Sequence, residues 1–305
     1  MIDTDPGVDD AIALLLAFEK KEQILGISSV GGNIPVNLAF ENICGLLRKT
    51  NNKNIPIAKG SKTPIQGKYS YSYSYHGKYG LPFRIPYKSD DFRNIIFDNF
   101  TKFLKTMFKT YGEISLIALG PLTNFAIFFS KYPQYEKLVK SFFIMGGAIG
   151  VSGNVTSYSE FNFFSDPYAA NLIVNSKLPI TLIDLNICNQ FFLTRNTKEI
   201  LSQTNNLSAN LSYDLISRWF EQHPTNNRFV LFDPLTMILA FQPSIASYKQ
   251  IPINIEIKNQ KTLGKSKLDF QGSLITVVDN IDKKKFWKEF AKYFSLDKKL
   301  LLPML

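Results

Sequence analysis

The residues best suited to chemistry lie at the start of the chain, where positions 3–10 read DTDPGVDD. Asp9 and Asp10 would suit a helix start, where the dipole and free N–H groups favour acidic side chains. That explanation does not extend to Asp3 and Asp5 on the other side of the Pro-Gly turn. A hard divalent cation such as Ca²⁺, which binds about six to eight oxygens, accounts for the whole cluster. We therefore predict a metal site, with Asp9 and Asp10 pointing about 100° apart so that one faces the metal and the other a substrate.

The rest of the sequence alternates short apolar runs with helical stretches. The predicted strands are 24–30, 55–58, 114–118, 142–145 and 180–185. Their nearly continuous apolar character is typical of parallel strands covered on both faces. The predicted helices are 9–22, 36–49, 91–110, 122–130 and 166–175. Repeated strand–helix units predict an α/β fold, with a mainly parallel central sheet flanked by helices in an open, Rossmann-like arrangement.

No linker or internal repeat interrupts this pattern, so we predict a single domain over residues 1–305. Residues 195–245 are predicted to be helical with loops, residues 250–280 to form further strands, and residues 283–294 to form a closing helix. Residues 69–75 alternate Tyr and Ser, which suits either a hairpin strand or a loop.

Polar and glycine residues recur directly after the predicted strands. In open α/β sheets, ligands bind beyond the carboxyl ends of the strands, so these positions are the expected site. They comprise Gly31-Gly32-Asn33, the run 120–124, Glu160-Phe161-Asn162, Asp184 and Asn186.

Composition excludes several classes of function. The chain has 35 Lys+Arg against 25 Asp+Glu, a net charge of +10, but its six arginines do not cluster, which argues against nucleic-acid binding. The apolar run 11–18 is far shorter than the ~20 residues of a membrane span. Two distant cysteines, Cys44 and Cys188, and an N-terminal stretch without a secretory pattern predict a reducing, cytoplasmic location.

The opening motif resembles that of the nucleoside hydrolases, the inosine–uridine-preferring family. Further motifs of this family follow in the same order along most of the chain. They are GGN at 31–33, HG at 76–77, LGPLTN at 119–124, MGG at 145–147, EFN at 160–162 with DP at 166–167, and FDP at 232–234. Each motif is weak alone, but their order makes the resemblance specific.

The resemblance implies a role for each matching residue. Asp5, Asp10, Thr123 and Asp233 match Ca²⁺ ligands, Asp10 as a bidentate ligand and Thr123 through its backbone carbonyl. Asp5 also matches the general base that takes a proton from the attacking water. Asp9 and Asn33 match groups that hold the ribose 2′- and 3′-hydroxyls, and the groups on the 3′- and 5′-hydroxyl side are Asn154, Glu160 and Asn162. The family is usually dimeric or tetrameric, so a homodimer or homotetramer is expected.

The chain departs from much of the family at Phe232, where many members have a histidine that protonates the departing base. A purine-specific branch has an aromatic residue there that stacks on the base, so Phe232 tilts the prediction towards purines. His76, in a segment that resembles the loop over the nucleobase, is the first candidate for a proton donor, and His223 is the second. Further aromatic candidates for the base pocket are Tyr75, Tyr79 and Trp219.

The predicted activity is Ca²⁺-dependent hydrolysis of the N-glycosidic bond of ribonucleosides to ribose and free base. This reaction passes through an oxocarbenium-like state, which nearby carboxylates stabilise. A haloacid-dehalogenase-like phosphatase is an alternative suggested by the Asp3-x-Asp5 pattern, although that family does not share the following PGVDD. A non-catalytic nucleoside- or ribose-binding relative is another alternative, suggested by Phe232 and by the two residues that precede Asp3.

Overall fold

The computed structural model describes residues 1–20, 23–92, 95–297 and 299. Strands and helices alternate along them. The strands are β1 (Ile2–Thr4), β2 (Ile27–Ser29), β3 (Ile57–Lys59), β4 (Ile96–Phe97), β5 (Ile114–Ala118), β6 (Val139–Met145), β7 (Ile180–Ile183), β8 (Phe192–Thr194), β9 (Arg228–Val230), β10 (Ala246–Ile255), β11 (Ser266–Leu268) and β12 (Ser273–Ile281). The helices are α1 (Val8–Phe18), α2 (Val36–Lys49), α3 (Tyr73–His76), α4 (Phe100–Tyr111), α5 (Thr123–Lys131), α6 (Phe161–Ser165), α7 (Pro167–Val174), α8 (Leu185–Cys188), α9 (Leu207–Gln222), α10 (Phe232–Phe241) and α11 (Lys283–Tyr293).

One ten-stranded sheet organises the molecule, in the order β11-β10-β12-β7-β6-β5-β1-β2-β3-β4. All pairings from β4 to β12 are parallel, and β10 pairs antiparallel with both β12 and β11 at one edge. β8 and β9 form a separate antiparallel pair. The chain winds outward from β1 through β2, β3 and β4 on one side, and through β5, β6 and β7 on the other. The crevice between β1 and β5 is therefore the point where an open sheet of this kind binds ligands.

An apolar core covers each face of the sheet. On β5, Leu116 and Ala118 face one core and Ile117 faces the other, as the two-residue period of a strand requires. Helix α1 lies inside the first core, where every residue from Val8 to Phe18 is buried, and it packs against α9 and α10. This burial fixes the position of the acidic turn that precedes α1.

The predicted α/β class, with a mainly parallel sheet flanked by helices, is confirmed. Several predicted boundaries were wrong. The helix predicted over 91–110 begins only at Phe100, because Ile96 and Phe97 pair with β3 and the Asn99 side chain caps the helix by accepting from the Lys102 N–H at 3.0 Å. The helix predicted over 9–22 ends at Phe18, and residues 21–22 lie outside the described residues.

The Tyr–Ser segment is a loop that ends in the single turn of α3, not a hairpin strand. β9 falls inside the region 195–245 that is predicted as helices and loops, and β8 lies just before that region. Their pairing joins positions 34 or more residues apart. Within the described ranges, no helix is both long and apolar enough to cross a bilayer. The single domain over residues 1–305 stays a prediction, and residues 298 and 300–305 lie outside the described part of the chain.

Candidate active site

Asp5 lies just beyond the end of β1, at the crevice between β1 and β5. Its Oδ2 accepts a hydrogen bond from the Asn33 backbone N–H at 2.5 Å. Gly32 and Gly120 flank the carboxylate, and a Cβ at either position would overlap its oxygens. The two glycine turns therefore leave a slot that fits the Asp5 carboxylate and no additional side chain.

Three other carboxylates converge beside Asp5. Oxygens of Asp9, Asp10 and Asp233 all lie within 4.8 Å of one another, and all three residues are buried. Asp9 and Asp10 come from the first turn of α1 and Asp233 from the first turn of α10, so the packing of α1 against α10 brings them together. The structure thus places Asp233 beside residues from the other end of the chain, which is the convergence that the sequence predicts.

Hydrogen bonds fix the Asp10 carboxylate. Its Oδ1 accepts from the Thr4 hydroxyl at 2.5 Å, and its Oδ2 accepts from the Gly7 N–H at 3.0 Å and the Asn33 Nδ2 at 3.2 Å. Asn33 therefore connects Asp5 and Asp10, and its second amide proton is the one left for a ligand.

The electrostatics of this cluster are unfavourable for carboxylates alone. Burial raises the pKa of Asp5, Asp9 and Asp233 well above the usual range, and repulsion from Asp10 raises each of them further. Burial also raises the pKa of Asp10. Among the described residues, Asp5 Oδ1 and Asp9 Oδ1 are buried without a hydrogen-bond partner. Buried carboxylates with free oxygens, in a set that offers only oxygen donors, fit a hard divalent cation.

Thr123 begins α5, directly after the turn that contains Gly120. Its hydroxyl donates to Asp166 Oδ2 at 2.6 Å and lies 2.7 Å from the Tyr69 hydroxyl. Because these contacts occupy the side chain, the predicted role of Thr123 as a ligand rests on its backbone carbonyl.

A cavity of about 440 Å³ opens above the acidic cluster. Eight residues predicted from sequence line it: Asp9, Asn33, His76, Asn154, Glu160, Asn162, Phe232 and Asp233. Asp5, Asp10 and Thr123 are each at most 1% exposed and lie beneath its wall. The structure thus brings these eleven predicted residues together at one cavity.

Backbone contacts orient the polar wall of the cavity. Both Glu160 oxygens accept from backbone N–H groups, including that of Gly147 at 3.0 Å, and burial raises the pKa of Glu160 to about 7. Asn162 Nδ2 donates to the carbonyls of Leu119 and Met145, at 2.8 and 3.2 Å, so its Oδ1 is left for a ligand. Asn154 has the opposite arrangement. Its Oδ1 accepts from a backbone N–H at 2.9 Å, so its Nδ2 is left as a donor.

His76, in α3, also lines the cavity. Its Nδ1 accepts from the Val8 N–H at 3.1 Å, so the neutral ring carries its proton on Nε2. Burial lowers the pKa of His76 to about 3. At neutral pH this side chain is therefore a hydrogen-bond donor rather than a charged acid.

The other aromatic candidates have different positions. Tyr75 lines the cavity, whereas Trp219 is fully buried and supports α3 from behind by donating to the Tyr75 carbonyl at 2.9 Å. His223 also lies behind the loop, with Nε2 3.0 Å from the Ser74 carbonyl oxygen. Tyr79 packs against the Arg84 guanidinium, 4.6 Å from its ring centre.

Two structural roles were missed by the sequence analysis. Asp3 belongs to β1, and its Oδ1 accepts from the Ser28 hydroxyl and from Asn124 Nδ2, the latter at 2.8 Å. It therefore fastens β1 to β2 and to α5 instead of joining the acidic cluster. Asp166 accepts a hydrogen bond from Thr123, a role that its motif does not predict. The Asp-Pro pair at a helix start does indicate its capping role.

Comparison with known proteins agrees with this arrangement. Residues 1–288 match the family model described as inosine-uridine preferring nucleoside hydrolase. Probable uridine nucleosidase 2 of Arabidopsis thaliana is 32% identical over 259 residues, which cover 82% of this chain and 79% of that protein. Pyrimidine-specific ribonucleoside hydrolase RihA of Salmonella paratyphi C is 28% identical over 88% of both chains.

The solved structure of a plant nucleoside hydrolase, PpNRh1, superposes with a TM-score of 0.88 at 27% identity, covering 96% of this chain and 97% of that one. Fold and sequence thus lead to the same group of enzymes, which act on N-glycosyl bonds. The chain belongs to the inosine-uridine preferring nucleoside hydrolase family, and it is a hydrolase of ribonucleosides.

Proposed function

We propose that the protein hydrolyses ribonucleosides in a Ca²⁺-dependent reaction and prefers purine nucleosides weakly. The observation that carries the calcium proposal is the convergence of the buried carboxylates of Asp9, Asp10 and Asp233, with Asp5 close enough to be repelled by Asp9 and Asp10. Asp5 and Asp9 each have an oxygen without a partner among the described residues. Asp5, Asp10, Asp233 and the Thr123 carbonyl would hold the ion. When bound, calcium lowers the pKa of a water molecule and neutralises the surrounding carboxylates.

In this proposal Asp5 is the general base. Its Oδ2 is held by the Asn33 N–H, and its Oδ1 accepts a proton from the attacking water. The water oxygen bonds to the anomeric carbon, the C–N bond breaks, and the bonding electron pair leaves with the nucleobase, which takes up a proton from solvent. Because Gly32 and Gly120 confine the Asp5 carboxylate, this general base is aligned before substrate binds.

The ribose is held by the groups around the cavity. The free oxygen of Asp9 and the remaining amide proton of Asn33 would bind the 2′- and 3′-hydroxyls. Glu160 with Asn154 Nδ2 and Asn162 Oδ1 would bind the 3′- and 5′-hydroxyl side. Carboxylates at this distance also stabilise the positive charge that develops on the sugar.

The purine preference rests on Phe232, which lines the cavity beside Asp233. Stacking against an aromatic ring is worth about 0.5–1.5 kcal/mol, and because a pyrimidine also stacks, the preference for the larger base should stay below the ratio of about 12 that the full energy would give. His76, which also lines the cavity, can donate a hydrogen bond to the nucleobase from Nε2–H. Relatives are named for uridine and for pyrimidine nucleosides, so the comparison of inosine with uridine is the informative one.

The test is a panel of nucleosides given to chelator-treated protein with and without added Ca²⁺, scored by the reducing sugar released. We expect turnover only with the metal, and loss of turnover and of calcium binding in Asp10→Ala. Asp214→Ala, which removes an exposed carboxylate from α9, is the matched control and should behave as wild type. Full turnover of inosine and uridine by metal-free protein would refute calcium dependence.

The same panel addresses the two alternatives. Tight nucleoside binding without base release over hours would favour a non-catalytic relative. Phosphoester cleavage is disfavoured by Asp3, which a phosphatase of that kind needs as an accessible nucleophile and which here is fully buried against Ser28 and Asn124. A homodimer or homotetramer in the cytoplasm stays a prediction, and light scattering on the purified protein measures the assembly.

A further inference from the structure

The Tyr–Ser segment is fastened to the residues that surround the acidic cluster. Tyr69 is 8% exposed, and its hydroxyl lies 2.7 Å from the Thr123 Oγ1. Its ring covers Gly31, where a Cβ would come within 2.6 Å of the ring. Gly31 therefore makes room for Tyr69 to reach across to the start of α5.

The contact continues to a buried carboxylate, which sets its direction. Asp166 Oδ2 accepts from the Thr123 hydroxyl at 2.6 Å and from the Ile65 N–H at 2.9 Å. Because Thr123 gives its only hydroxyl proton to Asp166, the Tyr69 hydroxyl must donate to Thr123.

A second attachment lies three residues further along the segment. The Ser72 N–H and hydroxyl donate to the Asn33 backbone carbonyl at 2.9 Å and to its Oδ1 at 2.6 Å, and Asn33 itself holds Asp5 and Asp10. Five residues of the segment and the adjacent His76 line the cavity: Ser70, Tyr71, Ser72, Ser74, Tyr75 and His76. The wall that meets the substrate is thus tied to both sides of the acidic cluster.

We propose that Tyr69 is a positioning residue that couples the placement of residues 69–76 to the turn at Thr123, so that calcium and nucleoside bind cooperatively. This inference rests on the proposed function, in which the Thr123 carbonyl is a calcium ligand. A metal bound to the Thr123 carbonyl would also fix the Thr123 hydroxyl, which accepts a hydrogen bond from Tyr69. In the other direction, a nucleoside that holds residues 69–76 in place would stabilise the turn at Thr123 through the same hydrogen bond. Thermodynamic linkage makes the two effects equal in size.

The experiment measures calcium affinity by calorimetry, with and without a saturating C-nucleoside such as formycin or pseudouridine, whose C–C glycosidic bond resists hydrolysis. In wild type, the C-nucleoside should tighten calcium binding. In Tyr69→Phe this enhancement should fall by about threefold to tenfold, the range that the loss of one neutral hydrogen bond gives. Hydrogen exchange supplies a second readout with calcium alone, which should slow exchange in residues 65–76 of wild type but not of the variant.

Tyr73→Phe is the matched control, because it removes a hydroxyl from the same segment at a residue that is 42% exposed. It should keep the wild-type enhancement. If Tyr69→Phe does not fold, Asp166→Asn takes its place. It weakens the same chain of hydrogen bonds from the other end, and asparagine is still a good helix cap. If wild type binds both calcium and nucleoside and the enhancement is unchanged in Tyr69→Phe, this inference alone is overturned. Asp166→Asn is judged in the same way if it has to be used instead. Absence of calcium binding by wild type would overturn the proposed function and this inference with it.

Discussion

The slot around Asp5 makes a substitution at Gly120 the most direct test of its role. Gly120 has no left-handed backbone angle, so alanine is compatible with the backbone there. Its Cβ would lie 2.9 Å from the Asp5 carboxyl carbon and 3.0 Å from Val30 Cγ1. Carbon atoms pack at about 3.5–4.0 Å, so the Asp5 carboxyl must withdraw by about 0.6–1.1 Å.

A displacement of this size should lower the activity strongly while the protein stays folded. A reacting group misplaced by about 1 Å loses about 100-fold in rate, so we expect kcat/KM of Gly120→Ala to fall by about 100-fold at saturating calcium. Overpacking costs about 1–3 kcal/mol, so the folded state should persist in urea titrations. Inosine hydrolysis and unfolding should be measured on the same preparation.

Gly112→Ala is the control for destabilisation alone. Gly112 ends α4 at a φ of +70° with open space around it, so alanine there strains the backbone by about 1 kcal/mol or more without approaching Asp5. It should lose stability and keep its activity. If Gly120→Ala folds and retains activity within about threefold of wild type, then the position of the Asp5 carboxylate does not govern the reaction, and its assignment as general base is wrong.

Three further predictions concern the base pocket and the charge of the site. Phe232→Leu should lower kcat/KM for inosine by about threefold to tenfold and for uridine by less, in parallel steady-state assays. His76→Gln should lower kcat/KM by about 10- to 100-fold, and because burial lowers the pKa of wild-type His76 to about 3, the wild-type pH profile should lack a limb from this residue near pH 6.5. Asp3 and Glu160, whose pKa values burial raises to about 7, bind protons more tightly in the folded than in the unfolded state, so calorimetry of the calcium-free protein should show stability falling as the pH rises from about 4 through 7. Calcium at 100 times its dissociation constant should restore about 2.7 kcal/mol at pH 8.

Much of the sheet could be predicted because parallel strands leave a local signal. The runs ending at Ala118 and Met145 are mostly apolar, and a glycine follows within two residues of each, so both strand and turn could be located from a few residues. The turn residues Asn33 and Asn162 could be proposed for the same reason. Asp233 has no such local signal, and only the resemblance of its motif to a known family placed it beside Asp10.

The contacts that could not be predicted join residues far apart in sequence with no repeating pattern. Tyr69 and Thr123 are separated by 54 positions, and Thr123 and Asp166 by 43. Spacing also failed to separate Asp3 from Asp5, two identical side chains two residues apart. β1 ends at Thr4, so Asp3 stays in the sheet with Ser28 while Asp5 lies beyond the strand at the crevice.

The acidic cluster also limits what the fold can do without a cation. Burying an uncompensated charge costs several kcal/mol, a large part of the roughly 5–15 kcal/mol that stabilises a domain. In the described part of the chain, no lysine or arginine forms an ion pair with Asp5, Asp9, Asp10 or Asp233, and the nearest base, His76, lies 3.9 Å from Asp9 with its pKa lowered to about 3. The carboxylates must therefore be neutralised by protons or by metal, and the two compete for the same oxygens. Calcium affinity should accordingly weaken as the pH falls, since each proton bound by the cluster must leave before the metal is fully held.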